Sequence, residues 1–278
     1  MARLRNVTGS LTVESPSGEH FYTLDAAQLD EWFPSQGFIA RIPRMVFDWK
    51  KTKLAVTDVS VADEGTTFRL RGEAALLVWG EADRPIEFVA KVEPVGHQTP
   101  STGVMDLTTP DGETTKLNLK VEDKQLVYRL TPRKTGPHRL HWQGDSKTTI
   151  RPVRWSASVA ILGESLGINL IRPAGTLYFP VPAGVKRFVL QIAGQGTAET
   201  VKAIIRDASG RIADQEDNIG TPHVFVLEGN RVTLAEIWSV TLDRASKGVL
   251  EDVSIQTLGV PPVFGATPSE VFVPSLPE

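Results

Sequence analysis

His138 and His141 are the close pair of histidines in this chain, and a metal site is the chemistry such a pair first suggests. Both lie in the strand-like run His138-Arg139-Leu140-His141-Trp142. Residues three apart on a strand point to opposite faces, so the two rings cannot serve one ion. Paired carboxylates come next: Asp30-Glu31, Asp63-Glu64, Glu216-Asp217 and Glu251-Asp252. A glycosidase needs two carboxylates flanking the scissile bond. Neighbouring side chains diverge, however, so none of these pairs is assigned a catalytic role. Asp214, Asp217 and Asn218, with Asp207 nearby, supply oxygen ligands of the kind calcium takes. They lack the glycine and closing glutamate of a helix-loop-helix calcium site, and a solvated loop is the preferred reading. No cofactor is therefore expected.

Gly194-Gln195-Gly196-Thr197-Ala198-Glu199 begins like a dinucleotide-binding turn. Glu199 stands where a third glycine would let a helix pack closely on the strand. Val201, Ala203 and Ile205 then recur with period two, so a turn between strands is expected. The sequence has no Gly-x-Ser-x-Gly elbow, phosphate-binding loop or zinc-protease helix.

The elements that must position any site are strands. Leu11–Glu14, Leu54–Val61, Phe68–Arg71, Lys116–Val121 and Leu126–Leu130 alternate apolar and polar residues, the habit of antiparallel sheets with one wet face. Turn signals such as Pro110-Asp111-Gly112 and Ala208-Ser209-Gly210 separate them. One short helix is expected, from Asp25 as cap to Phe33 before Pro34. The chain also repeats itself. Leu77 stands 11 residues before Phe88, and Leu177 stands 11 before Phe188. The turns at Gly112 and Gly210 follow, and Trp142 and Trp238 close the two copies in what look like matching places.

These features give an all-β fold class: two tandem antiparallel β-sandwiches of the jelly-roll or immunoglobulin-like kind. The expected domains are an enlarged sandwich over 1–153, a second over 154–262, and an extended tail over 263–278. Residues 1 to about 70 have no counterpart in the second copy and are expected to enlarge the first.

The formal net charge of −3 removes the usual electrostatic argument for nucleic acid or an anionic membrane. No segment approaches transmembrane length, so membrane insertion is not expected. With no cysteine, thiol catalysis, disulfides and Cys-ligated zinc are excluded. Met1 to Asn6 carries charge without a following apolar stretch, so it does not read as a signal peptide. An excised part of a larger parent polypeptide is the reading favoured.

From Arg154-Trp155-Ser156-Ala157 through Gly175–Gly184, Ala198–Lys202 and Asp207–Arg211 to Leu258-Gly259-Val260-Pro261-Pro262, the chain resembles β-sandwich accessory modules of large bacterial secreted proteins, often polysaccharide-degrading ones. It is more loosely similar to the bacterial pre-peptidase carboxy-terminal domain. The resemblance implies an extracellular or periplasmic setting and a non-catalytic, carbohydrate-binding-like role with a polysaccharide partner. Two alternatives stay open. One is a glycoside hydrolase or polysaccharide lyase acting through the first module, the other a structural spacer or protein-interaction module.

Sugar recognition on a sandwich needs aromatic rings in water. Phe21, Tyr22, Trp32, Trp49 and Trp79 have no obvious partners in the second copy. A carbohydrate site is accordingly expected on the first module around Trp32 and Trp79, with Tyr22 beside them and Arg41 and Lys50 as hydrogen-bond donors.

Overall fold

The computed structural model describes residues 3–7, 10–14, 20–25, 47–55, 68–97, 104–117, 120–122, 125–163, 167–194, 198–229 and 235–274; of 3–25 and 120–122 it describes the backbone alone. The chain forms two compact units, Met1–Arg44 and Met45–Glu278. In the first, β1 (Arg3–Val7), β2 (Ser10–Glu14) and β3 (His20–Asp25) make a three-stranded antiparallel meander. Residues 1–44 thus form a compact unit of their own. Residues 26–33 of the expected helix lie outside the described residues.

The larger unit opens with a 3₁₀ turn, Trp49–Lys51, and β4 (Thr52–Leu54). The first copy then runs β5 (Arg69–Arg71), β6 (Ala74–Gly80), β7 (Ile86–Pro94), β8 (Val104–Thr108), β9 (Thr114–Leu117), β10 (Lys120–Glu122), β11 (Gln125–Leu130), β12 (Gly136–Gln143), β13 (Thr148–Trp155) and β14 (Val159–Leu162). The second runs β15 (Ile168–Ile171), β16 (Gly175–Val181), β17 (Arg187–Gly194), β18 (Val201–Arg206), β19 (Ile212–Ile219), β20 (His223–Glu228), β21 (Glu236–Arg244), β22 (Asp252–Leu258) and β23 (Val263–Gly265). A second 3₁₀ turn, Pro268–Glu270, leads to β24 (Phe272–Pro274). The expected strand Lys116–Val121 is two: β9 belongs to one sheet and β10 to the other.

The unit is an all-β antiparallel sandwich, as the alternation predicts, but the copies do not form two sandwiches in a row. Strands of both copies share a nine-stranded sheet, β10-β11-β7-β13-β5-β15-β22-β17-β20, and a ten-stranded sheet, β19-β18-β21-β16-β23-β14-β6-β12-β8-β9. Each order reads as a near palindrome. Outward from the β5·β15 pair come β13, β7 and β11 on one side and their counterparts β22, β17 and β20 on the other. Outward from β14·β23 come β6, β12, β8 and β9, matched by β16, β21, β18 and β19. In each sheet the inner edge strand of one copy pairs with that of the other, while β10, β20, β9 and β19 stand at the sheet ends.

The expected boundary at 153/154 falls inside β13, where the ladder to β7 shifts register between Pro152 and Arg154. Proline is tolerated inside a sheet at such a bulge, so the Arg-Pro-Val signal marks an irregular strand and not a linker. The expected tail is also different in kind. Val263 and Phe264 are buried in the middle of the ten-stranded sheet, and β24 pairs with β4, Phe272 opposite Leu54.

The inner faces of both sheets meet in one core that runs through both copies, with Phe88, Leu140, Phe188 and Val240 among its members. Burying such side chains contributes about 1.5–3 kcal/mol each. On the outer face of the ten-stranded sheet, Ala75, Leu77, Ala160, Leu162 and Val263 form a second cluster, covered by Leu54 and Phe272 of the β4–β24 ribbon. Strand β6 is therefore buried on both faces, which explains why Ala74-Ala75-Leu76-Leu77-Val78 does not alternate.

This double burial also corrects the repeat. Leu77 faces the outer cluster whereas Leu177 faces the main core, so their equal spacing from Phe88 and Phe188 is not an equivalence of place. Trp142 pairs with Ala74 at the start of β6, while Trp238 pairs with Phe179 late in β16. Both indoles are buried, so a core role holds, though not in matching positions.

Candidate functional site

At one end of the β5·β15 seam a cleft of about 430 Å³ opens between the two sheets. Its floor is the end of the core, Leu70, Ile161 and Ile168. Its polar wall holds Arg71, Asp252, Asn169 and Glu73. Period-two alternation explains this mixture. Leu70 and Leu170 turn inward, which sends Arg71 and Asn169 outward beside Asp252. Gly167 brings the backbone close: it has φ +78°, and a Cβ there would stand 2.2 Å from the Ile255 carbonyl oxygen.

Arg71 and Asp252 form an ion pair between the two copies, Nη1 to Oδ2, and Arg71 Nε donates to the Ser146 carbonyl at 2.8 Å. Their side chains are 31% and 17% exposed. Burial pushes the Asp252 carboxyl above its ordinary range; Arg71 opposes this, and the nearby charges of Glu199 and Glu251 reinforce it. Asp252 Oδ1 is buried and accepts from nothing among the described residues. A buried acceptor left without a donor costs about 1–3 kcal/mol. Across the cleft Glu73 meets His141, with Oε1 and Nε2 2.7 Å apart.

Around the cleft, the outer face of the nine-stranded sheet is charged. Glu251 holds Arg172 through both carboxylate oxygens, Glu87 holds Arg129 and Arg154, and Glu93 lies 3.4 Å from Arg69 Nε and 3.6 Å from Arg151 Nη2. Glu251 and Asp252 thus diverge to different arginines, as adjacent strand residues should.

Of the expected carbohydrate contacts, Trp32 and Arg41 lie outside the described residues, as does the side chain of Tyr22. Trp79 and Lys50 are described and lie in one neighbourhood, joined by Trp49. Trp79 is half-buried against the outer cluster, its ring 6.2 Å from Phe272. Trp49 and Phe47 pack on the same cluster. Lys50 Nζ sits 5.7 Å from the centre of the Trp49 ring. These rings hold the β4–β24 ribbon on the sheet and keep part of their surface in water.

The two histidines face opposite ways. His138 is buried, and because a carbonyl only accepts, its Nδ1 carries the proton donated to Gly136 O at 3.0 Å. Burial pushes its pKa down. The carboxylates considered for calcium are engaged by the chain itself. Asp207 accepts from Ser209 N, Ser209 Oγ and Arg211. Asp217 accepts from Ser246 N and Asn218 N, and Asn218 Oδ1 from Lys247 N. No set of three metal-ligating side chains occurs among the described residues.

Sequence reasoning missed Arg71 and Asn169, and it set Asp252 aside together with Glu251. The signal for Arg71 was present in the alternation Arg69-Leu70-Arg71, which places two guanidinium groups on one outer face. Nothing in the sequence brings β22 next to β15, and Asp252 was reachable only through that pairing.

Compared with protein-family models, with curated proteins and with solved structures, the chain matches none.

Proposed function

We propose that the protein is a non-catalytic binding module that takes a polysaccharide segment in the seam cleft. The observation that carries this reading is the unpartnered Oδ1 of Asp252, set beside a guanidinium and a carboxamide in a cleft with an apolar floor. Neighbouring hydroxyls of a sugar ring match that set: one donates to the carboxylate while others accept from Arg71 and Asn169, and the C–H face of the ring lies on the apolar side. The half-buried rings of Trp49 and Trp79, with Lys50, form a second place where the same ligand class would stack. With few rings to spare, affinity is expected at about millimolar to high micromolar. An accessory part of a larger polysaccharide-active, secreted bacterial protein is the setting that the sequence resemblance supports.

A second reading has one observation behind it. Glu73, in the bend between β5 and β6, and Asp252 of β22 are carboxylates from different elements in one cleft, and burial raises the pKa of Asp252, as a glycosidase acid requires. Arg71 argues against it by favouring the ionised form. Titration calorimetry with soluble polysaccharides separates the readings when run beside a reducing-end assay. Binding without turnover, weakened about tenfold in Asp252→Asn and less in Trp79→Ala, is the expected result. Equal binding by wild type and Asp252→Asn would overturn the cleft assignment, and turnover lost on Asp252→Asn or Glu73→Gln would establish the enzyme.

A further inference from the structure

Lys91, Arg151 and Arg69 stand side by side on β7, β13 and β5, all on the face turned away from the core. Lys91 is the register partner of Arg151. Arg69 and Arg151 each adjoin the paired residues Leu70 and Ile150, so they too lie across from one another. Adjacent strands are only about 4.8 Å apart, and like charges placed opposite one another destabilise a sheet. Glu93 is the carboxylate at ion-pair distance of both arginines, without a hydrogen bond to either Nε, and Glu251, held by Arg172, adds a longer-range charge near Arg69. Nε of Arg69 and Nε of Arg151 are both buried and donate to nothing among the described residues. No ion pair of Lys91 is seen among them either.

The second copy supplies an internal control. On the counterpart strands β17 and β22 the facing pair is Gln191 and Gln256, neutral on both sides. The architecture therefore does not require cations at these places. A row of cations with too few anions breaks a local rule that the other copy keeps, and such breaches are expected where a site serves a ligand.

The row is continuous with the cleft, because Arg69 and Arg71 flank Leu70 on one face and Arg71 is the cleft's guanidinium. We propose that Arg69, Arg151 and Lys91 extend the cleft into an anion-binding track, so that its polysaccharide is an acidic one whose carboxylate or sulfate groups lie along the row; this rests on the saccharide reading of the cleft. Guanidinium groups suit both anions, since their paired N–H donors match two oxygens at once.

The test uses the full chain and two matched pairs of polymers. Polygalacturonate is compared with its fully methyl-esterified form, and dextran sulfate with dextran, by calorimetry at low and high salt. Wild type is expected to prefer one charged polymer over its neutral partner by about tenfold or more at low salt, with the preference falling as salt rises. Which pair shows it tells carboxylate from sulfate. In the double variant Lys91→Gln/Arg151→Gln, which installs the second copy's own pair, the preference should disappear while binding of the neutral polymer remains. Equal binding of charged and neutral forms by wild type, or a preference that survives salt or the double variant, overturns the track and leaves the saccharide reading standing. Binding to none of the four polymers overturns both.

Discussion

Leu70 and Leu170 face each other across the β5·β15 ladder, one from each copy, and both are sealed in the main core at 2% and 0% exposure. The pair joins the halves of the nine-stranded sheet just where the cleft opens. Its burial and that of the neighbouring Ile150 tie the two copies into one hydrophobic core.

Shared packing of this kind predicts shared unfolding. Residues 45–278 should melt in one cooperative transition that includes both copies. Leu70→Ala should cost about 2–5 kcal/mol, because Leu70 already borders a small void of about 30 Å³ that the truncation would enlarge. Urea unfolding followed by tryptophan fluorescence and by far-ultraviolet circular dichroism checks both points. Two separated transitions, one for each copy, would contradict them.

Gly194 owes its place to backbone proximity and not to a nucleotide. A Cβ there would stand 2.0 Å from the Glu199 carbonyl oxygen and 2.9 Å from that of Ile219. Neither is the far end of a flexible side chain, so the backbone itself must shift. Gly194→Ala is expected to lose about 1–3 kcal/mol or more, measured by denaturant titration; wild-type stability would refute this account.

Glu270 is 3% exposed and accepts from Trp155 Nε1 at 3.1 Å and from Thr267 N at 3.0 Å. Burial raises its pKa, and the Trp155 hydrogen bond pulls it back. A carboxyl whose folded pKa is raised binds more protons in the folded state, so its contribution to stability falls as pH rises from 4.5 through the folded value. Trp155→Phe removes the bond and lifts the folded value further. The loss, about 1–2 kcal/mol, should therefore be larger at pH 7 than at pH 4. Thermal unfolding at the two pH values decides, and an equal loss at both would be the wrong outcome.

Asp111 is held by the Thr109 hydroxyl and by Lys134 Nζ at 2.9 Å, and its pKa is lowered to about 2. Stability from this exposed group is present above 3.8 and is lost as pH falls toward 2. Carbon-detected NMR titration should place the Asp111 midpoint near 2, and Thr109→Val should move it toward 3.8. A midpoint near 3.8 in wild type would discard the geometry.

Strand content was legible because alternation is local. Arg69-Leu70-Arg71, Val201 to Ile205 and Leu126 to Leu130 each declare an inner and an outer face without reference to the rest of the chain. The 11-residue spacing paired Leu77 with Leu177, which face different clusters, but the duplication was legible in the local turns at Gly112 and Gly210. Their backbones close alike, with Gly112 N donating to Thr109 O and Gly210 N to Asp207 O.

Which strand lies beside which was not legible, and the site depends on it. A strand's sequence specifies its faces but leaves its edges free, because edge bonding uses backbone groups common to every residue. Two separate sandwiches and one shared pair of sheets satisfy the same alternation. Only the tertiary structure chose to seat β5 against β15 and β14 against β23, pairing the inner edge strand of one copy with that of the other in each sheet. That choice set Arg71 of one copy on Asp252 of the other and made the cleft between them.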